Sequence, residues 1–171
     1  MKEFVVLGLG SNKGWGRLAP LQLLRAACKK LSHLLSDFSY SAVYLTKPMY
    51  VENQEKFFNM VVSGFIEDTD PFELLDKIHQ IEASLGRNRA CEIRNGPRSI
   101  DIDIEIFGDR TIYSETLEIP HPRIKERAFV LVPLLEVLEK NADSERYEGF
   151  FSDFGKLNTD DIEKILRFEE L

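Results

Sequence analysis

The stretch GPRSIDIDIEIFGD, residues 96–109, alternates isoleucines with carboxylates through its centre. The apolar positions are Ile100, Ile102, Ile104 and Ile106, and the acidic positions are Asp101, Asp103 and Glu105. A period of two places these sets on opposite faces of a β-strand, because successive side chains of a strand point to opposite sides. We therefore expect all four isoleucines to pack beneath helices, and the carboxylates to project from the uncovered face of a sheet.

The segments before this strand predict the rest of the core. Apolar and β-branched runs predict strands at 3–9, 38–46 and 57–66, and apolar residues at helical spacing predict helices at 18–35 and 70–85. With the strand at 100–107, the order is β-α-β-β-α-β. This order is typical of an α+β, ferredoxin-like fold, an antiparallel sheet with helices on one face.

The C-terminal part extends this core. It predicts a hairpin-like stretch over 108–119, a helix near 127–139 and a terminal amphipathic helix near 160–167. No repeat, linker or low-complexity segment divides the chain, and 171 residues suit one domain. We predict a single domain over 1–171, with the role of 140–171 left open.

The composition excludes several classes of protein. The chain is 43% hydrophobic and 30% charged, as in ordinary globular proteins, and its net charge of −7 argues against general binding of nucleic acid or anionic membranes. Its two cysteines have no metal-ligand spacing, and no segment has the ~18 apolar residues of a membrane span. The N-terminus has no signal-peptide pattern, so we expect a cytoplasmic protein.

Asp101 and Asp103 are candidate metal ligands. Carboxylates two residues apart on a strand are roughly 6.5–7 Å apart at Cα, and Mg²⁺ usually takes one or two carboxylates together with phosphate oxygens. The same alternation also occurs in any half-exposed strand, so periodicity alone leaves both interpretations open. The segment 86–98 favours the metal, because it holds four arginines against one glutamate. Arg87 and Arg98, which bracket it, suit a phosphoryl-transfer site.

Two further segments carry candidate residues. Glu82 lies beside the buried stripe of the second helix, near its C-terminus, where a negative charge is unfavourable. It either pairs with an arginine or contacts a ligand. In IPHPRIKERAF, prolines flank His121 and three cations follow it, namely Arg123, Lys125 and Arg127. This pattern predicts a loop that faces phosphate.

The chain resembles the 6-hydroxymethyl-7,8-dihydropterin pyrophosphokinase family over roughly residues 4–135. The matching segments are LGLGSNKG, YLTKP, FFNMVV, IEASLGR, GPRSIDIDI and IPHPRIKERAFVLVPLLE. The resemblance implies transfer of pyrophosphate from ATP to the hydroxymethyl group of 6-hydroxymethyl-7,8-dihydropterin, with release of AMP, in folate biosynthesis. It implies ATP and this pterin as partners, two Mg²⁺ ions with bound ATP, and no nucleic acid or membrane. We expect a monomer or a weak homo-oligomer.

The resemblance also implies three groups of site residues. The catalytic group is Arg87, Arg98, Asp101 and Asp103, in which the two aspartates hold the metal. The nucleotide group is His79, Glu82, Arg98, His121, Lys125 and Arg127. The pterin group is Thr46, Pro48, Met49, Phe57, Asn59, Asn95 and Phe129. Asn59 would hydrogen-bond the ring, which Phe57 and Phe129 would sandwich.

Two of these positions depart from the family pattern. The family often has glutamine where this chain has His79, and an aromatic residue where it has Asn95. Two other classes of function share some of these features, namely a non-catalytic binding module and an RNA-recognition domain with the same element order. The intact aspartates and arginines disfavour the first. Carboxylates on the open face of the last strand disfavour the second, because they would repel RNA phosphates.

Overall fold

The computed structural model describes residues 2–48, 53–91, 96–138, 159–160 and 162–166. In chain order its elements are β1 (Lys2–Ser11), α1 (Pro20–Leu31), β2 (Ser36–Tyr40), β3 (Val43–Thr46), β4 (Phe57–Glu67), α2 (Pro71–Ser84), β5 (Asp101–Phe107), β6 (Ile112–Tyr113), β7 (Glu118–Ile119), α3 (Ala128–Leu138) and β8 (Ile162–Leu166). This order confirms the predicted α+β core, the hairpin and the helix near 127–139. Within the described residues, no helix is long and apolar enough to cross a membrane.

The main sheet is antiparallel and has the order β5-β1-β4-β3-β8, while β2 also pairs with β4. The strand predicted at 38–46 is therefore two strands. They separate at Ser41, whose hydroxyl accepts a hydrogen bond of 3.0 Å from the amide of Val61 in β4. The Val61 amide thus donates to a side chain instead of to a strand carbonyl, between the end of β2 and the start of β3.

The prediction of a terminal helix near 160–167 is wrong. Residues Ile162–Leu166 form β8, which pairs with β3. The edge of β3 presents unpaired backbone groups, and pairing with β8 satisfies them. Ile165 also packs against the main core. Tertiary pairing therefore outweighs the helical spacing of the apolar residues in this short segment.

The two faces of the sheet are covered by different helices. Helices α1 and α2 pack on one face, where Ile100, Ile102 and Ile104 join the main core. Helix α3 packs on part of the other face against a second cluster that includes Val6 and Val61. The prediction of helices on one face thus holds for α1 and α2, and α3 adds partial cover to the face predicted to be open.

A β-bulge in β5 corrects the predicted position of Ile106. Val6 pairs with Ile106 and the next residue, Leu7, pairs with Ile104, so Glu105 is the additional residue. A bulge changes which face the following side chains occupy. Ile106 consequently packs in the α3 cluster rather than beneath α1 and α2, and Phe107 takes its place in the main core.

Helix α2 begins and ends with local signals that orient the site. Its N-cap Asp70 accepts a 2.9 Å hydrogen bond from the amide of Phe72, and Pro71 occupies the first turn. Beyond its end, Gly86 has φ +90°, a left-handed conformation that favours glycine. A Cβ at Gly86 would also lie 2.1 Å from the Trp15 ring. This turn leads the chain directly into the arginine-bearing loop.

Candidate active site

A pocket lies between the partly covered sheet face and the N-terminal end of α3. It brings together eight of the predicted site residues, namely Thr46, Phe57, Asn59, Arg98, Asp101, Asp103, Arg127 and Phe129. These residues come from β3, β4, β5, α3 and the loops before β5 and α3. The alternation of the strands accounts for the convergence, because their polar side chains share the face opposite the main core.

Asp101 is held by two arginines. Its Oδ1 accepts a hydrogen bond from Arg87 Nη1, and its Oδ2 accepts one from Arg98 Nη1. Burial would raise the pKa of the Asp101 carboxyl, but the charges of Arg87 and Arg98 hold this pKa below its usual value. Asp101 is therefore an ionised carboxylate whose charge two guanidinium groups already balance.

Glu82 is the anchor of the same network. It is 1% exposed, its Oε1 lies 2.6 Å from Arg87 Nη1, and its Oε2 lies 2.6 Å from Arg89 Nη2. Its Oε1 also accepts a 2.8 Å hydrogen bond from the amide of Ile102. Burial raises the pKa of Glu82, and the two arginines oppose that shift. Of the two readings left open by the sequence, pairing with arginine is therefore present in the structure.

Asp103 has a different environment from Asp101. Its nearest cation is Arg127, whose Nη1 lies 3.4 Å from Asp103 Oδ2. Burial and the adjacent negative charge of Asp101 raise the pKa of Asp103 to about 6. These two carboxylates on one face of one strand thus differ, because Asp101 pairs with two arginines and Asp103 pairs with Arg127 at 3.4 Å.

His121 lies beside Arg127 on the wall of the site. Its Nε2 is 3.3 Å from Arg127 Nη1, and its Nδ1 accepts a 3.1 Å hydrogen bond from the amide of Arg123. Burial, followed by the charges of Arg127 and Arg123, lowers the pKa of His121 to about 4. The imidazole is consequently neutral at physiological pH and does not add to the positive charge of this wall.

The other end of the pocket holds an amide and two aromatic rings. Asn59 Nδ2 donates a 2.7 Å hydrogen bond to Thr46 Oγ1, which fixes the orientation of the amide. The ring of Phe57 lies in this pocket with the Arg98 guanidinium 5.6 Å from its centroid. In the same way, the Arg127 guanidinium lies 5.5 Å from the centroid of the Phe129 ring. Two aromatic rings and an oriented amide suit a flat heterocycle with N–H and C=O groups.

The remaining predicted residues lie further from the pocket or outside the described part of the chain. Pro48 and His79 are half-buried, and Lys125 is exposed. Burial, followed by the charge of Arg89, lowers the pKa of His79. Met49 and Asn95 lie outside the described residues.

Asn12 is a site residue that the sequence analysis missed. Its Oδ1 accepts a 2.9 Å hydrogen bond from the amide of Arg98, and its Nδ2 donates to Gln54 Oε1 at 3.1 Å and to the carbonyl of Glu55 at 3.0 Å. One amide therefore joins the loop after β1 to the loops before β4 and β5. The matching segment LGLGSNKG contains this residue, but no spacing in it signals such long-range contacts.

Glu105 is the second residue that was missed. It is 1% exposed and lines the pocket, and its Oε2 has no hydrogen-bond partner among the residues that the structure describes. Burial, together with the charge of Asp103, raises the pKa of Glu105 well above its usual value. Its signal was available, because Glu105 continues the acidic alternation of β5.

The fold and the site define a class of protein: an α+β domain in which arginine-paired carboxylates on a sheet face lie in the same pocket as two aromatic rings. A family model described as "7,8-dihydro-6-hydroxymethylpterin-pyrophosphokinase (HPPK)" matches residues 6–139. The chain belongs to this family, which confirms the resemblance stated from its motifs.

Relatives with curated names agree with this assignment. A 2-amino-4-hydroxy-6-hydroxymethyldihydropteridine pyrophosphokinase of Bacillus subtilis is 47% identical over 151 residues, 84% of this chain and 85% of that protein. The Aquifex aeolicus protein of the same name is 37% identical and covers 91% of this chain and 92% of its own.

A solved structure shares the fold at low sequence identity. A crystal structure of Plasmodium falciparum HPPK-DHPS aligns with a TM-score of 0.66 at 17% identity, over 96% of this chain and 47% of that longer one. This chain therefore spans less than half of the Plasmodium protein.

Proposed function

We propose that the protein transfers the pyrophosphoryl group of ATP to the hydroxymethyl group of 6-hydroxymethyl-7,8-dihydropterin, releasing AMP, in folate biosynthesis. The observation that carries this proposal is the single pocket in which Asp101, Asp103 and Arg98 meet Asn59 and the two aromatic rings. One half has the groups that phosphates need, and the other has the groups that a pterin needs.

The donor set of the site fits magnesium. No group of three or more His, Cys, Asp or Glu side chains that could hold a metal occurs among the described residues. Mg²⁺ does not need one, since one or two carboxylates and substrate phosphates complete its shell. Asp101 and Asp103 would supply these carboxylates to two ions. When bound, Mg²⁺ neutralises phosphate oxygens and favours attack at phosphorus.

Arg87 and Arg98 would exchange partners when the nucleotide binds. Both hold Asp101 in the structure, and this carboxylate is the one expected to turn to the metal. The released guanidinium groups would then donate to phosphate oxygens, where bidentate donors are most effective. Glu82 retains its contact with Arg87 and so keeps this arginine at the edge of the site. Arg127 would contact the phosphates from the opposite wall.

The nucleotide would lie on the charged side of the pocket, which the sequence assigns to His79, Glu82, His121, Lys125 and Arg127. The contacts of Glu82 and His121 with arginines support this side for the phosphates. The pterin would lie between Phe57 and Phe129, with its ring edge on Asn59. The hydroxymethyl oxygen then forms a bond to the β-phosphorus and releases its proton to the surrounding water. The bond from that phosphorus to the α-phosphate oxygen breaks, and AMP departs with this oxygen.

An AMP-release assay tests this function. The purified protein is incubated with ATP, Mg²⁺ and 6-hydroxymethyl-7,8-dihydropterin, and AMP and the pyrophosphorylated pterin are quantified by chromatography. We expect equal amounts of the two products, and no AMP when the pterin is omitted. Heat of binding for both substrates by calorimetry without any AMP would instead identify a non-catalytic binding module. The cytoplasmic location and the monomeric or weakly associating state stay predictions, testable by fractionation and by size-exclusion chromatography.

A further inference from the structure

We propose that Glu105 is a specificity-determining residue that contacts the substrate, its carboxyl hydrogen-bonding an N–H group of the flat heterocycle. This inference rests on the proposed function, because the heterocycle is the pterin. It adds a polar contact that the motifs of the chain did not assign. The contact comes from β5, whereas Asn59 lies on β4.

The first observation is an unpaired group in a built pocket. Glu105 is 1% exposed and lines the pocket, yet its Oε2 has no partner among the described residues. Buried polar atoms are almost always hydrogen-bonded, because leaving one unpaired costs stability. A ligand that hydrogen-bonds Glu105 Oε2 would compensate this cost.

The second observation is the position of the Glu105 and Asn59 side chains over β1. A Cβ at Gly8 would lie 2.8 Å from Glu105 Oε1, and a Cβ at Gly10 would lie 2.8 Å from Asn59 Oδ1. The glycines are two residues apart on the same face, so these oxygen atoms are displaced along the strand by about 7 Å. The two glycines thus make room for the Glu105 and Asn59 side chains, which lie over β1 and both line the pocket. Two hydrogen-bonding groups at this spacing suit the two ends of a two-ring heterocycle.

A neighbouring donor strengthens this assignment. Arg127 Nε is buried and has no partner among the described residues, and Arg127 lines the same pocket as Glu105. A pterin presents both N–H groups and hydrogen-bond acceptors around its rings. The Glu105 carboxyl and Arg127 Nε therefore match the alternating donors and acceptors of this ligand, whereas Arg127 Nη1 lies on the side of Asp103, where the phosphates would bind.

A metal or phosphate role for Glu105 is disfavoured by the same surroundings. Asp101, Asp103 and Glu105 do not form a metal-binding group in the part of the chain that is described. A third carboxyl beside the phosphates would also repel them unless a further cation intervened. The neutral heterocycle has neither difficulty.

The test compares Glu105→Met with Glu105→Gln. Pterin affinity is measured by calorimetry with Mg²⁺ and a non-hydrolysable ATP analogue, alongside KM for each substrate and thermal stability. We expect Glu105→Met to weaken pterin binding about tenfold or more, the loss of one buried hydrogen bond, with a smaller effect for Glu105→Gln. Affinity for the ATP analogue should change less than about twofold. Thermal stability of Glu105→Met should equal or exceed that of the wild type, because an unpaired buried group is removed.

A second variant covers the case in which the first does not fold. Gly8→Ala places a methyl group against Glu105 Oε1 and should weaken pterin binding without removing the carboxyl. Glu67→Met, at the exposed end of β4, is the matched control. Unchanged pterin affinity in Glu105→Met and Gly8→Ala would overturn the inference, and would mean that a water molecule or a purely structural contact satisfies Glu105. A wild-type protein that forms no AMP would instead overturn the proposed function.

Discussion

The two ends of the pocket bind through different physics. We call Arg98 and Asp101, together with Arg87 and Glu82 that support Asp101 from outside the pocket lining, the ionic end. We call Thr46, Phe57, Asn59 and Phe129 the neutral end. In the ionic end, charged groups compensate one another, and Glu82 and Arg87 are almost completely buried. In the neutral end, two aromatic rings line the pocket, and a 2.7 Å hydrogen bond joins the uncharged side chains of Asn59 and Thr46. The ionic end must therefore change partners to bind a ligand, whereas the neutral end is already formed.

Because of this difference, we expect mutations at the two ends to change different properties of the enzyme. Removing one member of a buried ion pair leaves its partner uncompensated, so changes in the ionic end affect both stability and turnover. Removing a group of the neutral end mainly removes contacts with the ligand. Variants of the first kind should lower kcat, and variants of the second kind should raise KM for the pterin.

The largest effect is expected for Asp101→Asn. The change removes a proposed metal ligand, takes away the carboxylate that pairs with Arg98, and leaves Arg87 paired with Glu82. AMP formation should fall about a thousandfold or more, since charge stabilisation by the metal contributes several kcal/mol and each 1.36 kcal/mol is tenfold. Initial rates at saturating substrate measure this. Asp68→Asn, an exposed residue before α2, is the control, and turnover near wild type in Asp101→Asn would exclude the metal assignment.

Arg98→Ala comes next. We expect kcat to fall about a hundredfold, as when one preorganised donor to a developing charge is lost. KM for the pterin should rise less, because the ring of Phe57 loses only the nearby guanidinium. Steady-state kinetics with each substrate varied separates the two parameters. Arg110→Ala removes an exposed arginine that pairs with Glu3 and should retain turnover. Equal losses in both variants would contradict a role for Arg98 in the ionic end.

Asn59→Ala tests the neutral end. The change removes the amide that Thr46 orients and should raise KM for the pterin about 10–100-fold, because hydrogen bonds to the ring are lost and polar groups are left unpaired. KM for ATP should stay within about twofold, since the neutral end lies apart from the phosphates. A parallel rise in both KM values would show that the two ends do not act separately.

A smaller effect, on stability, is expected for Gly86→Ala. Gly86 has φ +90°, and an added Cβ would overlap the Trp15 ring at the turn that delivers Arg87 to the ionic end. The left-handed backbone alone costs on the order of 1–3 kcal/mol for a residue with a side chain. Chemical unfolding measures the loss. Adding Trp15→Ala should recover the steric part but not the backbone part, and a stable single variant would contradict this account.

The sequence predicted most helices and strands, and the sheet face on which the β5 carboxylates lie. It did not predict the β-bulge in β5 or the pairing of β8 with β3. The carboxylate face of β5 followed from period-two alternation, and α2 followed from the helical spacing of its apolar residues. Both are local signals. The bulge at Glu105 depends on how β5 pairs with β1, so the wrong face was expected for Ile106. The pairing of β8 with β3 is likewise a long-range event that helical spacing within 160–167 does not report.

The site shows the same division between local and long-range information. Residue types near β5 predicted an anionic ligand and a metal, and the structure brings eight of the predicted residues into one pocket. Asn12 was missed because its importance lies in contacts with distant segments, whereas Glu105 was missed although its place in the acidic alternation of β5 signalled it. The partners of Asp101 were also beyond the sequence, since four arginines stand in the segment before β5 and no pattern selects Arg87 and Arg98 over the others for this carboxylate.

The smallest effect is expected for His121→Asn, on the wall that joins the two ends. The pKa of His121 is about 4 in the folded protein against 6.5 for an unperturbed histidine, so the unfolded chain binds more protons between these values. The free energy of unfolding contributed by His121 is therefore complete above pH 6.5 and is lost as the pH falls towards 4. Asparagine has no such titration and can still accept the hydrogen bond from the amide of Arg123.

Thermal unfolding of His121→Asn and wild type at pH 7 and pH 4.5 measures this difference. The variant should lose less stability on acidification, by about 1 kcal/mol or 2–4 °C in Tm, which is less than the full shift because the ring is only half-buried. His33→Asn, at an exposed histidine, is the matched control. Parallel Tm curves for His121→Asn and wild type would mean that Arg127 and Arg123 do not keep the imidazole neutral. In that case the charged wall would carry one more positive charge at low pH.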